Sequence, residues 1–388
     1  MSDSSRRSFL TAGLALPVAG MAAVSRPEAP ASPSTLPVAA AKEFKYKVLG
    51  RTGLKVTTVG YGTMVTSDQS VIEKGADLGI TYFDTARGYQ GGNCERMVGA
   101  ALKARRKDLV LSTKSNKEDK EGALADLETS LKTLGTDHVD IWYLHGKSRA
   151  DQITDGRLEA QEIARKKGMI RFTGVSTHAG FEEIIPAAIK CGKMDVILSQ
   201  FNFTMGTEID SLLADAKKAG LGVVAMKVMA GGFRRIKPDS KYYGTLKKDG
   251  AMPACLRWVL KSPSVDTTIP SITDMDQLDE NMRCMSEPFS QKDEQLLAEH
   301  LERIRPLYCR SCGQCQGACP KGLPVADMVR FAMYADGYGQ FSLGRENFLT
   351  LPRESQDVRC GDCAECAVKC PNGVAVSSRL IRAQELFA

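Results

Sequence analysis

Between residues 58 and 269 the chain alternates, eight times over, between a short apolar β-prone segment and a segment with helical periodicity. Strands are predicted at 58–60, 81–83, 109–113, 139–144, 172–175, 196–199, 222–225 and 267–269, and the clearest helices at 67–78, 93–104, 120–134, 157–167, 181–190, 208–219 and 252–260. In the third helix Ala123, Leu124, Leu127, Leu131 and Leu134 mark one face. Near-continuous apolar strands joined by helices call for a parallel sheet covered by those helices. Eight such units over roughly 260 residues have the count and size of a (β/α)8 TIM barrel. A doubly wound open sheet is the rival, but no G-x-G-x-x-G follows the first strand, so its usual dinucleotide fingerprint is missing. Ahead of the barrel, a turn at 50–53 separates 46–49 from 54–56 and predicts a short β-hairpin.

The barrel accounts for residues 42–306 of 388. Before it, 5–11 read S-R-R-S-F-L-T, an Ala/Gly-rich apolar run follows to 24, and a Pro/Ser/Ala stretch closes at 41. The run is too short and too poor in large residues for a comfortable membrane span. A basic start, an apolar run and a small-residue tail make a signal peptide with cleavage expected near Ala39–Ala41. Arg6-Arg7, with Ser5, Phe9 and Leu10, resembles the twin-arginine export signal, which implies passage through the Tat machinery to the periplasm. A net charge of +6 without a Lys/Arg tract argues against a nucleic-acid partner.

After the barrel, 307–388 hold eight of the twelve cysteines. Residues 309–320 read C-R-S-C-G-Q-C-Q-G-A-C-P and 360–371 read C-G-D-C-A-E-C-A-V-K-C-P. Both follow C-x2-C-x2-C-x3-C-P, the spacing of bacterial two-cluster ferredoxins, in which the fourth cysteine serves the other cluster. A small ferredoxin-like domain with two [4Fe–4S] clusters is therefore expected. Cys309, Cys312, Cys315 and Cys370 would hold one, and Cys319, Cys360, Cys363 and Cys366 the other. The 40 residues between Cys319 and Cys360 are long for such a domain and include an aromatic, glycine-rich piece, Y-A-D-G-Y-G-Q-F.

Barrel enzymes place their chemistry where strands end. Here Asp84 ends T-Y-F-D, Lys114 ends L-V-L-S-T-K, His145 ends V-D-I-W-Y-L-H, and Tyr89 follows Asp84 in the loop A-R-G-Y-Q-G-G. A phenol, with a pKa of about 10, is a poor acid at neutral pH; a nearby ammonium is expected to lower it, and a carboxylate keeps that ammonium charged and placed. An imidazole can orient a carbonyl oxygen that the phenol then protonates. Taken singly, Asp84 could cap a helix, Lys114 could be a solvated charge, His145 a structural histidine and Tyr89 packing.

The segment F-D-T-A-R-G-Y-Q-G-G-N-C-E-R-M-V-G, the S-T-K at Lys114 and the L-H at His145 resemble the catalytic tetrad of the aldo/keto reductases. The resemblance spans about residues 44–283. It implies Tyr89 as acid/base, Lys114 and Asp84 as its tuning pair and His145 as the group that orients substrate. It also implies NAD or NADP lying extended across the barrel mouth without a Rossmann fold. By the same match Ser176, Thr177 (where Asn is usual) and Gln200 would hold the carboxamide, and Met226 stands where a stacking tyrosine is usual. Lys227 would reach the pyrophosphate, and Glu280 and Asn281 would clasp the adenine. At the 2′-phosphate site Ser271 replaces the family lysine and Gln277 the arginine. Loss of two cations removes charge-assisted bonds to a phosphate and tilts the expectation toward NAD. The expected function is interconversion of a carbonyl compound, of sugar-derived type, and an alcohol, with a retained cofactor that a second substrate or a redox partner regenerates. The alternative is an electron-transfer or binding module with a catalytically retired barrel.

Overall fold

A hairpin opens the fold: β1 (Tyr46–Val48) pairs antiparallel with β2 (Lys55–Thr57). The computed structural model describes residues 44–153, 155–246, 250–361 and 363–388. The expected export signal, with Arg6-Arg7 and its cleavage point, lies outside the described residues.

Eight parallel strands follow in chain order: β3 (Tyr61–Gly62), β4 (Tyr82–Asp84), β5 (Val110–Ser115), β6 (Val139–Leu144), β7 (Ile170–Thr177), β8 (Val196–Gln200), β9 (Gly222–Met226) and β10 (Thr267–Thr268). Isolated bridges from Val59 to Thr268 and from Gly62 to Ser271 join the two edges, so the sheet curls into an α/β barrel. The first predicted strand, 58–60, has moved to Tyr61–Gly62. Its glycines approach the closing strand too closely for side chains: a Cβ on Gly62 would stand 2.5 Å from the Ile269 carbonyl oxygen. The helices Lys120–Leu134, Phe181–Lys190 and Met252–Leu260 have the bounds their periodicity predicts.

Inside the barrel Tyr82, Val110, Ile141, Tyr143, Val196, Leu198 and Val224 form one apolar cluster, to which the hairpin contributes Leu49, Leu54 and Val56. The hairpin turn closes the end where strands begin. A Cβ on Gly50, at φ +49, would lie 2.2 Å from the Gly222 nitrogen, so only glycine allows that contact. The opposite end, where strands finish, is left for the site.

Beyond Ile304 the regular elements are all helices among the described residues, Val325–Asp336, Phe341–Leu349, Arg353–Asp357 and Val376–Phe387, around a core that includes Met328, Phe331, Phe348, Leu380 and Phe387, and the cysteine-bearing stretches between them are turns and irregular chain. This segment sits on the barrel mouth. Ala230 and Phe233, from the loop after β9, share an apolar cluster with Ile304, Tyr308 and Met333. The Phe233 N–H donates to the Gly337 carbonyl at 3.0 Å. A Cβ on Gly337 would lie 2.3 Å from the Gly231 oxygen, so that approach requires glycine. The long spacer between the cysteine combs is therefore the part that docks.

Candidate active site

Asp84 ends β4, and the parallel register puts it beside Ser112 of β5, two residues before Lys114. The Lys114 ammonium donates to Asp84 Oδ2 at 2.5 Å and to the Thr85 carbonyl at 2.7 Å, while Ser112 Oγ donates to Asp84 Oδ1 at 2.7 Å. Both charged residues are about 1% exposed. Burial pushes the Asp84 carboxyl up and the Lys114 ammonium down, and their mutual attraction opposes both shifts.

The loop carrying Tyr89 is fixed by Arg87. Its guanidinium pairs with Glu95 at 2.5 Å, and Glu95, fully buried, accepts from Thr113 Oγ1 at 2.7 Å. Gly92 makes room for that guanidinium: at φ +94, a Cβ there would collide with Arg87 Nη2. Tyr89 is thereby held with the Lys114 ammonium 5.0 Å from its ring centroid and the His145 ring edge-on at 5.9 Å.

The electrostatics differ from the sequence-based expectation in one respect. The Tyr89 phenol is pushed well above 10, by burial first and then by Asp84, Cys94 and Tyr334. Lys114, turned to Asp84 and Thr85, does not offset this, so Tyr89 stands as a phenol. His145 is lowered to about 3 by burial and the nearby lysines, so it is a neutral imidazole.

These groups face a cavity of about 1190 Å³, lined by Asp84, Tyr89, His145, Met226, Lys227, Ser271 and Gln277 among the expected residues. Its far wall comes from the C-terminal segment, with Tyr334, Asp336, Tyr338 and Gln340. Those residues belong to the aromatic, glycine-rich piece, whose sequence marks it as unusual but not as part of a site.

Residues 58–302 match the family model described as "Aldo/keto reductase family". The chain belongs to the aldo/keto reductases. Residues 308–375 match a second model, "4Fe-4S dicluster domain". The uncharacterized oxidoreductase YqkF of Bacillus subtilis is 26% identical over 62% of this chain and 90% of its own length. L-galactose dehydrogenase of Arabidopsis thaliana is 26% identical over 63% of this chain and 89% of its own length. Among solved structures, the holo form of aldo-keto reductase AKR11C1 from Bacillus halodurans superposes with a TM-score of 0.58 at 26% identity, covering 66% of this chain and 96% of that one.

The remaining residues expected to meet a nicotinamide dinucleotide in this aldo/keto reductase fall into two groups. At the adenine end Asn281 is 1% exposed, and neither of its amide atoms has a partner. A buried amide left without partners suits a ligand that supplies them. Glu280 is instead paired with Arg234 at 2.8 Å. At the nicotinamide end Met226 and His145 line the cavity, so the residues present there fit the group. Ser176 Oγ accepts from the Gly146 N–H at 2.8 Å, Thr177 Oγ1 donates to the Ala179 carbonyl at 2.7 Å, and Gln200 Nε2 donates to the Tyr308 hydroxyl at 3.2 Å. The last contact comes from beyond the barrel. His178, one residue past Thr177, also lines the cavity, and its Nδ1 is buried without a partner.

The two expected [4Fe–4S] clusters require correction. Among the described residues no group of three or more His, Cys, Asp or Glu side chains is placed to hold a metal ion. Burial pushes the Cys309 thiol up to about 11, with Cys315 and Cys312 adding to the shift. Cys315 is raised in the same way, with Cys312 and Cys370 contributing, and Cys360 with Cys366, Cys319 and Cys363. Metal ligation needs thiolates converging on one point. Here Cys309 Sγ accepts from the Ser311 N–H at 3.3 Å, Cys312 Sγ from Asn372 at 3.5 Å, and the Cys366 thiol donates to the Val368 carbonyl at 3.6 Å. Spacing decides which thiols are neighbours but does not make them converge.

Proposed function

We propose that this chain is a nicotinamide-dependent oxidoreductase that interconverts a carbonyl compound and an alcohol of the sugar type. The observation that carries the reading is the convergence of Tyr89, His145 and the buried Lys114–Asp84 pair on one cavity. The likeness to L-galactose dehydrogenase supports a sugar-type substrate.

Met226, Asn281, Ser271 and Gln277 would hold the dinucleotide, which when bound supplies or accepts the hydride. The chain's own residues manage the proton and the pose. Neutral His145 donates a hydrogen bond to the carbonyl oxygen and sets its direction. Tyr89, protonated in its buried setting, gives its hydroxyl proton to that oxygen as negative charge develops. The Lys114 ammonium, pinned by Asp84 and the Thr85 carbonyl, lies 5.0 Å from the Tyr89 ring centroid and holds the ring in place for that transfer. Tyr334, Asp336, Tyr338 and Gln340 of the C-terminal segment wall the far side of the cavity, which favours a nucleotide that stays bound through turnover, as the expected export would demand.

The test is Tyr89→Phe, which removes the transferable proton and leaves the ring. NAD binding, followed by fluorescence, should stay within about threefold of wild type while carbonyl reduction falls by about a thousandfold or more. Full activity in the variant would remove Tyr89 from the role.

A further inference from the structure

Lys227 follows β9 and opens the loop that meets the C-terminal helices. Its φ is +57, and Ala230 and Phe233 in the same loop stand at +44 and +52. Such backbone costs of order 1 kcal/mol or more per non-glycine residue and persists where the surroundings impose it. The result is a side chain placed in the cavity beside His145 and His178, with its ammonium 6.0 Å from the Tyr334 ring centroid and 5.6 Å from that of Tyr338. Its polar contact is Met64 Sδ at 3.9 Å. The charges that act on it, Arg330 and Lys114, are both positive.

The carboxylates of this region are engaged elsewhere. Asp84 is held by Lys114 and Ser112, and Asp336 by Arg379 at 2.7 Å and Arg382 at 3.2 Å. An ammonium drawn from water among other cations is unfavourable until an anion joins it. The Tyr334 and Tyr338 rings stack at 6.0 Å, 29° apart, and form a flat apolar surface next to that ammonium. His178 Nδ1 adds a buried polar atom in need of a partner.

We propose that Lys227, His178 and the Tyr334–Tyr338 pair form a subsite for an acidic sugar of the uronic- or aldonic-acid type. The carboxylate pairs with the Lys227 ammonium, the carbon skeleton packs on the tyrosines, and a hydroxyl meets His178. The C-terminal segment is then the half of the active site that selects the substrate. This assignment rests on the carbonyl/alcohol reading above. The pyrophosphate of the dinucleotide is the other oxyanion that Lys227 could meet, and the experiment separates the two.

Isothermal titration without added nucleotide compares galacturonate, glucuronate and gluconate with galactose, glucose and glucitol, and a parallel titration uses NAD. At least one acid should bind about tenfold or more tighter than its neutral counterpart. Lys227→Met should erase that preference, Lys227→Arg should keep it, and Tyr338→Leu should weaken acid and neutral sugar alike. Melting curves check that each variant is folded. The proposal fails if no acid is preferred beyond about threefold, or if the preference survives Lys227→Met. It fails equally if Lys227→Met weakens NAD while leaving the acid-to-neutral ratio unchanged. Binding without any hydride transfer would defeat the oxidoreductase reading but leave the ratio interpretable.

Discussion

Replacing Lys114 by Met keeps the volume of the side chain and removes its charge, which tests the buried pair beneath Tyr89. In the wild type both partners are about 1% exposed and 2.5 Å apart. Removing one member of such a pair leaves a buried carboxylate without compensation, at a cost of about 3–5 kcal/mol. Part of that figure is the Thr85 carbonyl, which loses its donor at 2.7 Å, an effect of about 1–3 kcal/mol by itself. The penalty must depend on pH. Without Lys114, burial is the leading influence on Asp84 and raises its carboxyl above the unfolded value of 3.8. A carboxyl raised on folding favours the folded state when protonated, so the variant is least impaired at low pH. It loses stability as pH rises through the folded pKa, by at most about 1.4 kcal/mol per unit. Urea unfolding followed by the fluorescence of Trp142, which is buried in the barrel wall, should show a larger deficit at pH 8 than at pH 5. The double variant Asp84→Asn/Lys114→Met should recover about 2 kcal/mol at pH 8. A deficit of the same size at both pH values, or no recovery in the double variant, would refute the reasoning.

Reduction of a neutral aldose should show kcat/KM nearly level from mildly acidic to mildly alkaline pH. His145 is neutral above its pKa of about 3, and Tyr89 keeps its proton until pH passes a value above 10. A bell centred near neutrality would contradict this. Tyr308→Phe removes the acceptor of Gln200 at 3.2 Å and Asn202 at 3.1 Å, 5% exposed. It should cost about 1–3 kcal/mol in urea unfolding; an unchanged midpoint would show that those amides find other partners. NADP should bind at least about tenfold more weakly than NAD by titration. Asp274 already caps the Gln277 N–H at 2.8 Å and accepts from its side chain at 2.6 Å, so a carboxylate occupies the helix end that a 2′-phosphate would use. Equal affinities would defeat that argument.

The barrel was legible because it depends on a local pattern, and so were the positions of Asp84, Lys114 and His145 at or beside strand ends. Apolar runs at 139–144 and 196–199, each flanked by helical segments, read as buried strands, and the polar residues that follow them, His145 and Gln200, stand out against them. Helix bounds followed where caps are encoded, as at Asp119 and Gly135 around Lys120–Leu134. Contacts between distant segments were not legible. Nothing near Gln200 in sequence announces that its amide meets Tyr308, and nothing in Y-A-D-G-Y-G-Q-F says that its tyrosines face His145 across a cavity. Tyr89 shows the same gap in its electrostatics. Its nearness to Lys114 follows from strand order, but the burial that raises its pKa comes from packing, and Tyr334 of the C-terminal segment adds to the shift electrostatically. The cysteine combs err in the opposite sense: their regular spacing is explicit in the sequence, while the described thiols do not gather to hold metal.

Hydride transfer itself is the most direct test of the central claim. The protein is first stripped of bound nucleotide and reloaded with NADH deuterated at the transferable position of nicotinamide C4, an aldose or uronate is added, and the product alcohol is analysed by mass spectrometry. Wild type should give product with one deuterium on the former carbonyl carbon, and Tyr89→Phe should give essentially none over the same time. Bound nucleotide with unlabelled or absent product in the wild type would contradict the assignment of this cavity as the site of a carbonyl/alcohol oxidoreductase.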